Sequence, residues 1–234
     1  MPNILIWTPE SDFDSKAVCC IAEKIVKYYG VNITISESTK KAFERAIHSN
    51  KGEGLEKMVN IYLTSNDCII FLLDSDGVQS QAQRRKEPNS LINRIKRVVS
   101  RFPDRVHLIL IKQELEAWLL VDVLGICCYF TKNENTRKKE DWVKLSKKYQ
   151  TGDTQAIAEA ESGGRGAKEY LVNVSRQILK KINPKLKDRD AQKRQYTESM
   201  SPKIARYMEI DKETLSRNES LQEFALYFES QTSQ

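Results

Sequence analysis

The sequence has no apolar run approaching the roughly 20 residues that a membrane-spanning helix requires. Residues 1–6 (MPNILI) include neither a basic segment nor a small-residue cleavage site, so no secretory signal is indicated. The same residues are apolar in the manner of a short β-strand. These absences favour a soluble protein, which we expect to be cytoplasmic.

Cysteine and histidine are sparse and are not spaced for metal binding. The five cysteines are two vicinal pairs and one isolated residue: Cys19-Cys20, Cys127-Cys128 and Cys68. An odd count without CxxC spacing argues against a disulfide framework and a structural zinc site, and it favours small buried side chains in a reducing compartment. The two histidines, His48 and His107, are too few and too isolated to indicate a histidine-based nuclease.

A nucleotide-binding P-loop is missing as well. The glycine-rich segment 162–166 (SGGRG) is not followed by the Gly-Lys-Ser/Thr that completes such a loop, and no predicted strand precedes it. We interpret this segment as a hinge. The absence of an ATP-binding motif is one reason to expect control by a separate ATPase.

What the chain does contain is enough apolar material for a sizeable core. Of its 234 residues 40% are apolar, which excludes wholesale disorder. The 38 basic and 32 acidic residues give a net charge of +6, a moderate bias that is compatible with a polyanionic partner. The length suits one large domain, or a core domain with a smaller appendage.

Strand and helix patterns alternate along residues 1–125. Four apolar segments predict strands, and the segments between them show helical periodicity; the strands are residues 3–8, 31–35, 68–73 and 106–111. Strands joined by helical crossovers indicate an α/β fold with an open, mainly parallel four-stranded sheet flanked by helices. After Gly125 the charge density rises and no strand pattern is present. We therefore predict a catalytic domain over 1–125 and a helical C-terminal region over 126–234.

Acidic residues follow three of the four predicted strands. Glu10, Asp12 and Asp14 come after the first strand, Asp74 and Asp76 after the third, and Glu114 and Glu116 after the fourth. Ligands of open α/β sheets bind beyond the carboxyl ends of the strands, where these side chains are expected to meet. Clustered carboxylates repel one another unless a cation lies between them, and all-oxygen ligation suits Mg²⁺ or Mn²⁺. The pattern predicts a divalent-metal site.

The Asp74-Ser75-Asp76-Gly77 segment also matches the DxDG motif of haloacid-dehalogenase-type phosphatases. In those enzymes the first Asp is a nucleophile and the second a general acid/base. Their motif lies on the first strand, whereas here it follows the third. No strand after residue 111 is predicted that would carry the further acids such a phosphatase needs. A phosphatase is therefore the weaker enzyme hypothesis.

The arrangement resembles the Toprim fold, the catalytic domain of topoisomerases, primases and OLD-type nucleases. A Toprim domain carries a Glu after its first strand and a DxD motif after its third, as Glu10 and Asp74/Asp76 do here. OLD-type members often show EGxxD after the first strand. Residues 10–14 (ESDFD) keep both acids but lack the glycine, so Asp14 is a weaker match than Glu10.

A more specific resemblance covers the second half of the chain. Residues 115–122 (LEAWLLVD) are similar to an EaWlLaD signature of a Toprim-like family encoded beside ABC- or SMC-type ATPase genes in prokaryotic phage defence. Residues 196–205, from Tyr196 to Ala205, together with Asp211 and Leu215, are similar to the C-terminal pattern of that family.

The resemblance implies a nuclease that cleaves nucleic-acid phosphodiesters with Mg²⁺ or Mn²⁺, as the effector of an ATPase-linked antiphage system. The implied catalytic residues are Glu10, Asp74, Asp76 and Glu116, and the implied metal ligands are these four with Asp14. The chain leaves little room for the large tyrosine-bearing domain of a topoisomerase, and its cysteines exclude a primase zinc module. An RNase acting on structured RNA such as tRNA, and a non-catalytic adaptor that binds an ATPase, stay open as alternatives.

Basic clusters are the candidates for phosphate binding. Residues 84–105 contain eight basic and two acidic residues, beginning with Arg84, Arg85 and Lys86, and residues 180–194 contain seven and two. A solvated helix face explains such runs equally well, but the run 84–86 follows the DxD motif closely enough to contact a phosphate backbone. Lys168 and Lys203 are placed at the phosphate only by the family resemblance.

Overall fold

The computed structural model describes residues 1–8, 11–48, 53–74, 90–112, 114–150 and 166–233. Glu10, Asp76, Arg84, Arg85 and Lys86 lie outside the described residues. Asp74 is described through its backbone alone.

Four parallel strands form one open sheet. They are β1 (Asn3–Trp7), β2 (Thr34–Glu37), β3 (Cys68–Asp74) and β4 (Val106–Ile111), in the spatial order β2-β1-β3-β4. Leu5 pairs with Ser36 on one side and with Ile69 on the other, and Asp74 pairs with Ile111. The predicted α/β class with an open parallel sheet flanked by helices is confirmed. All four strands run in one direction, so their carboxyl ends share one edge.

Helices connect the strands. Along the chain, helix α1 (Asp12–Tyr29) connects β1 to β2. Helices α2 (Lys40–His48) and α3 (Glu53–Tyr62) occur between β2 and β3, and α4 (Leu91–Arg101) occurs between β3 and β4. Ser11 caps α1 by accepting the Asp14 N–H at 3.0 Å. Helix α1 ends at Gly30, whose φ of 67° places it in the left-handed region that glycine adopts without strain.

The second strand begins three residues later than the sequence predicts. The amides of Gly30 and Val31 donate to the carbonyls of Lys27 and Val26, so these residues complete the end of α1 instead of pairing in the sheet. Pairing starts only where the Thr34 amide donates to the Pro2 carbonyl. A second strand is present as predicted, but residues 31–33 precede it and it extends to Glu37.

The remainder of the described chain is helical. Its elements are α5 (Glu114–Leu120), α6 (Val123–Thr131), α7 (Glu140–Tyr149), α8 (Ala167–Ile182), α9 (Asp188–Arg194), α10 (Ser201–Tyr207), α11 (Lys212–Ser216) and α12 (Glu219–Glu229). Short 3₁₀ turns occur at Glu134–Lys138, Glu198–Met200 and Ser230–Ser233. None of the helices in the described ranges is long and apolar enough to cross a bilayer.

The central strands β1 and β3 are buried on both faces, as the continuous apolar run of β3 predicts, whereas β2 and β4 are partly exposed. One face of β1 and β3 packs against α3 and α4, and the other packs against α1 and the helices that follow β4. Phe224 and Phe228 of α12 belong to the same cluster as Ile6 and Ile70 of the sheet. Helices from the second half therefore complete the core of the first, and the division at residue 125 stays a prediction.

The tryptophans and cysteines are core residues. Trp7, Trp118 and Trp142 are buried, as the predicted packing role requires, and the Trp118 indole N–H donates to Ser220 Oγ at 2.9 Å. All five cysteines are free thiols, and Cys20 alone among them is partly exposed.

Candidate functional site

The acids that follow β1 and β4 converge at the carboxyl edge of the sheet. Asp14 lies in the first turn of α1, and Glu114 and Glu116 lie in the first turn of α5, directly after β4. Strand β3 lies between β1 and β4 in the sheet. The backbone of Asp74, its last residue, therefore lies between the ends of those two strands. The topology thus places the acids that follow β1 and β4 on either side of the end of β3.

Glu116 is the most buried of these carboxylates, with 7% of its surface exposed. The Tyr196 hydroxyl donates to Glu116 Oε1 at 2.9 Å and lies 2.6 Å from Ser201 Oγ. Burial raises the pKa of Glu116, the Tyr196 hydrogen bond lowers it, and the negative charge of Asp14 raises it further. The net shift is upward, so this carboxylate lacks full compensation for its charge.

Asp14 shares this electrostatic environment. Burial is the main reason that the pKa of Asp14 is raised, and the charge of Glu198 acts in the same direction. The Ser11 hydroxyl and the cation of Lys168 act in the opposite direction without cancelling the burial effect. Asp14 is therefore a partly buried carboxylate for which a nearby cation would be favourable.

Glu114 has a defined structural role. Its backbone is in the left-handed region, with φ of 66°, which is strained for a residue with a side chain. Its Oε2 accepts the Lys168 N–H at 3.0 Å, in the first turn of α8. Burial raises the pKa of Glu114, and the charges of Glu116 and Glu169 add to that. Glu114 thus fastens the start of α8 to the end of β4.

Lys168 is the cation of this pocket. Its ammonium forms a salt bridge with Glu198 of the 3₁₀ turn, and this hydrogen bond is the main reason that the pKa of Lys168 is raised. The carboxylates of Glu116 and Glu114 raise it further. We name the set Asp14, Glu114, Glu116, Lys168, Tyr196, Glu198 and Ser201 the acidic pocket.

The acidic pocket has an excess of negative charge, because four carboxylates face one lysine. Within the ranges that the structure describes, no three acidic, histidine or cysteine side chains are grouped closely enough to hold a metal ion. A metal site at this edge would need further ligands, and the predicted ones, Glu10, Asp74 and Asp76, have side chains outside those ranges.

The chemistry of the donors fits a hard divalent cation. They are carboxylate oxygens that are partly removed from water, and burial is the main reason that their pKa values are raised, so a bound cation would favour their charged form. Two buried hydroxyls lie at the same edge, directly after β1 and β2. Thr8 Oγ1 and Ser38 Oγ, with 2% and 4% of their residues exposed, have no hydrogen-bond partner within the described part of the chain.

Lys203 lies elsewhere. It is an exposed residue of α10 and lines a separate cavity of about 400 Å³ together with Tyr129, Lys132, Glu134, Arg206 and Tyr207. Its family-based assignment to the phosphate beside the metal therefore gains no support from the acidic pocket.

Sequence reasoning did not assign roles to Tyr196, Glu198 and Ser201. The segment beginning at Tyr196 was recognised only as similar to a family pattern. No periodicity or spacing relates it to Glu116, which lies 80 residues earlier. Searches of protein-family models, curated proteins and solved structures find no match to this chain.

Proposed function

We propose that this protein is a divalent-metal-dependent nuclease that cleaves nucleic-acid phosphodiesters at the carboxyl edge of its parallel sheet. The observation that carries the proposal is the acidic pocket, in which the carboxylates of Asp14, Glu114 and Glu116 are partly or fully buried and have pKa values raised mainly by that burial. Such a pocket at a sheet edge is a favourable place for a cation that also attracts a phosphate.

Glu10, Asp74 and Asp76 would hold Mg²⁺ or Mn²⁺ together with Asp14, and Glu116 would complete a second position. When bound, the metal lowers the pKa of a water and offsets charge on the phosphate. Tyr196 keeps the Glu116 carboxylate in one orientation through its 2.9 Å hydrogen bond. Glu114 fixes the start of α8 and hence the backbone of Lys168, whose ammonium is the pocket's own contribution of positive charge.

Nucleic acid is the proposed substrate because basic segments flank the acids in sequence. Arg84, Arg85 and Lys86 follow Asp76 within ten residues, close enough in sequence to contact the backbone phosphates of a substrate. The family resemblance adds an ABC- or SMC-type ATPase as a partner and a role in antiphage defence. An RNase for structured RNA such as tRNA is the alternative within the same chemistry.

The competing hypothesis from another class is a non-catalytic adaptor in which the acids no longer bind metal. Calorimetric titration with Mn²⁺ separates the two. A nuclease should bind Mn²⁺ saturably, Asp74→Ala and Glu116→Gln should weaken that binding at least tenfold, and Glu223→Gln, an exposed acid of α12, should leave it unchanged. Absence of saturable binding in the wild type would support the adaptor.

Cleavage assays on single-stranded DNA, duplex DNA and tRNA complete the test. They should be run with Mn²⁺, with EDTA and with Asp74→Ala. Each assay should be repeated in the presence of an ABC- or SMC-type ATPase, the partner that the family resemblance implies. Metal-dependent cleavage that the variant abolishes supports the nuclease, and the preferred substrate distinguishes DNase from RNase. Cleavage that persists in EDTA would contradict the proposal.

A further inference from the structure

A second cavity has a charge pattern opposite to that of the acidic pocket. It opens between α6 and α10, has a volume of about 400 Å³, and is lined by Tyr129, Lys132, Glu134, Lys203, Arg206 and Tyr207. Three cations face one carboxylate, a net charge of about +2. We name it the basic cavity.

The cations of the basic cavity are available for a ligand. Within the described ranges, the side chains of Lys132, Lys203, Arg206 and Glu134 make no salt bridge, whereas eleven such pairs occur elsewhere in those ranges. Lys203 and Arg206 are three residues apart on α10, a spacing that places them on neighbouring positions of a helix surface.

Lys132 is held in place at an energetic cost. It follows the last residue of α6 with φ of 54°, a left-handed conformation that glycine or asparagine would adopt more easily. Its ammonium lies 3.9 Å from the centroid of the Tyr129 ring, over the ring face. A lysine at a position that favours glycine places a positive charge on the wall of the cavity.

The cavity also has an aromatic wall. The rings of Tyr129 and Tyr207 meet edge to face with centroids 6.2 Å apart, and Tyr207 is half-buried. Glu134, the one carboxylate in the lining, can accept hydrogen bonds from hydroxyl or amino groups of a ligand. Cations, an aromatic wall and one acceptor together match the phosphate, the base and the sugar hydroxyls of a nucleotide.

Another cavity in the described part of the chain has a similar volume, about 380 Å³, but its lining does not suit a phosphate. Its arginines are already paired: Arg137 with Asp122 and Glu209, and Arg217 with Glu213. With four carboxylates against three cations, it would repel a phosphate.

We propose that the basic cavity binds a nucleoside phosphate, through Lys132, Lys203 and Arg206 to the phosphate and Tyr207 to the base. A phosphate monoester carries about −1.5 to −2 charges at pH 7, which matches the net charge of the lining. Either a free mononucleotide or the phosphorylated end of a nucleic-acid strand presents this chemistry. The inference does not rest on the nuclease activity.

Calorimetry in metal-free buffer with EDTA tests the proposal, so that the acidic pocket does not contribute. AMP should bind saturably, and adenosine, which lacks the phosphate, at least tenfold more weakly. Lys203→Ala combined with Arg206→Ala should weaken AMP binding at least tenfold. Lys132→Gly, which removes the charge and relieves the left-handed strain, should weaken it several-fold in a protein that still folds.

Lys147→Ala is the matched control, because Lys147 is an exposed lysine that lines the other cavity. It should leave AMP binding unchanged. A 5′-phosphorylated oligonucleotide that binds more tightly than AMP, and loses that advantage in the double variant, identifies the strand end as the ligand; the reverse order identifies the free nucleotide. Absence of saturable AMP binding, or binding that survives the double variant, overturns the proposal.

Discussion

The Tyr196 hydroxyl donates a 2.9 Å hydrogen bond to Oε1 of Glu116, although the two residues lie 80 positions apart in sequence. Both side chains are buried, Tyr196 with 2% and Glu116 with 7% exposed. Ser201 Oγ lies 2.6 Å from the same hydroxyl and links it to the start of α10. The contact joins the carboxylate after β4 to the C-terminal helices, so stability and site geometry depend on the same bond.

We expect Tyr196→Phe to destabilise the fold by about 1–3 kcal/mol, because it leaves a buried carboxylate without its donor. The measurement is urea unfolding in metal-free buffer. Tyr28→Phe is the matched control, since Tyr28 is 44% exposed, and its effect should fall within about 0.5 kcal/mol of zero. Equal stabilities for the two variants would show that the Tyr196 hydroxyl contributes nothing to folding.

Glu116→Gln should have a different effect. The amide oxygen can still accept the Tyr196 hydrogen bond, while the charge that raises the pKa of neighbouring Glu114 is removed. At pH 7 without metal, we expect the free energy of unfolding of the variant to equal or exceed that of the wild type. The exposed Glu223→Gln serves as reference. A clear loss of stability in Glu116→Gln alone would mean that the ionised carboxylate is structural.

The pH dependence of stability should carry a contribution from His107. This residue is half-buried on β4, its ring centroid 4.8 Å from that of Tyr227, and burial lowers its pKa from the ordinary 6.5, with Asp104 opposing the shift. The unfolded chain therefore binds the proton of His107 more readily than the folded protein does. The contribution of His107 to the free energy of unfolding is fully present above pH 6.5 and is lost as the pH falls through the lower folded pKa.

His107→Phe keeps a ring against Tyr227 and removes the titration. The free energies of unfolding of wild type and variant should be measured from pH 8 to pH 5. Below pH 6.5 the free energy of unfolding of the wild type should fall relative to that of the variant. Taking the difference between the two proteins removes the contributions of groups that titrate alike in both. A difference that is constant with pH would assign the acid sensitivity to other residues.

The basic run after the DxD motif yields a prediction that separates substrate binding from chemistry. Replacing Arg84, Arg85 and Lys86 with Ala should weaken nucleic-acid binding for every sequence alike. Each lost phosphate contact should reduce the slope of log K against log salt by about 0.7 to 0.9. Binding isotherms over a salt series, with Ca²⁺ in place of Mg²⁺, provide the measurement. Coincident slopes would show that the run is a solvated surface.

The sheet could be predicted from sequence because β1 and β3 are buried on both faces and, like the partly buried β4, appear as apolar runs. The edge at which Asp14, Glu114 and Glu116 lie could be predicted for the same reason, since these acids follow the ends of β1 and β4. The start of β2 could not, because hydrogen bonds at the end of α1 occupy the amides of Gly30 and Val31.

The partners of segment 115–122 could not be predicted from the sequence either. Its three polar side chains each contact the C-terminal half: Glu116 binds Tyr196, Trp118 binds Ser220, and Asp122 binds Arg137 and the Glu209 amide. The sequence of this segment indicates only its local structure, in which Glu116 and Trp118 lie on α5 and Asp122 caps α6. It does not show which distant residues supply the matching donors and acceptors, because tertiary packing alone decides that.

Gly125 lies inside α6 in surroundings that leave no space for a Cβ atom. Glycine-to-alanine substitution inside a helix ordinarily stabilises a protein by up to about 1 kcal/mol. A Cβ at Gly125 would lie 2.8 Å from Asp122 Oδ2, 2.9 Å from the Tyr207 carbonyl oxygen and 3.1 Å from Arg137 Nη2, within the buried ion pair. The Tyr207 oxygen is backbone and cannot swing aside, so α6 and the end of α10 must separate.

We therefore expect Gly125→Ala to destabilise the protein by about 1–3 kcal/mol, the usual effect of overpacking. Gly30→Ala is the informative comparison, because a Cβ there meets nothing within 4 Å and is disfavoured only by the φ of 67°, a penalty of about 1–2 kcal/mol. Shortening Asp122 should relieve the first clash but not the second, so Asp122→Ala cannot rescue Gly125→Ala. Urea unfolding of the two single variants and of the double variant tests this. A stabilised Gly125→Ala, or full rescue by Asp122→Ala, would show that the Tyr207 carbonyl does not constrain the helix.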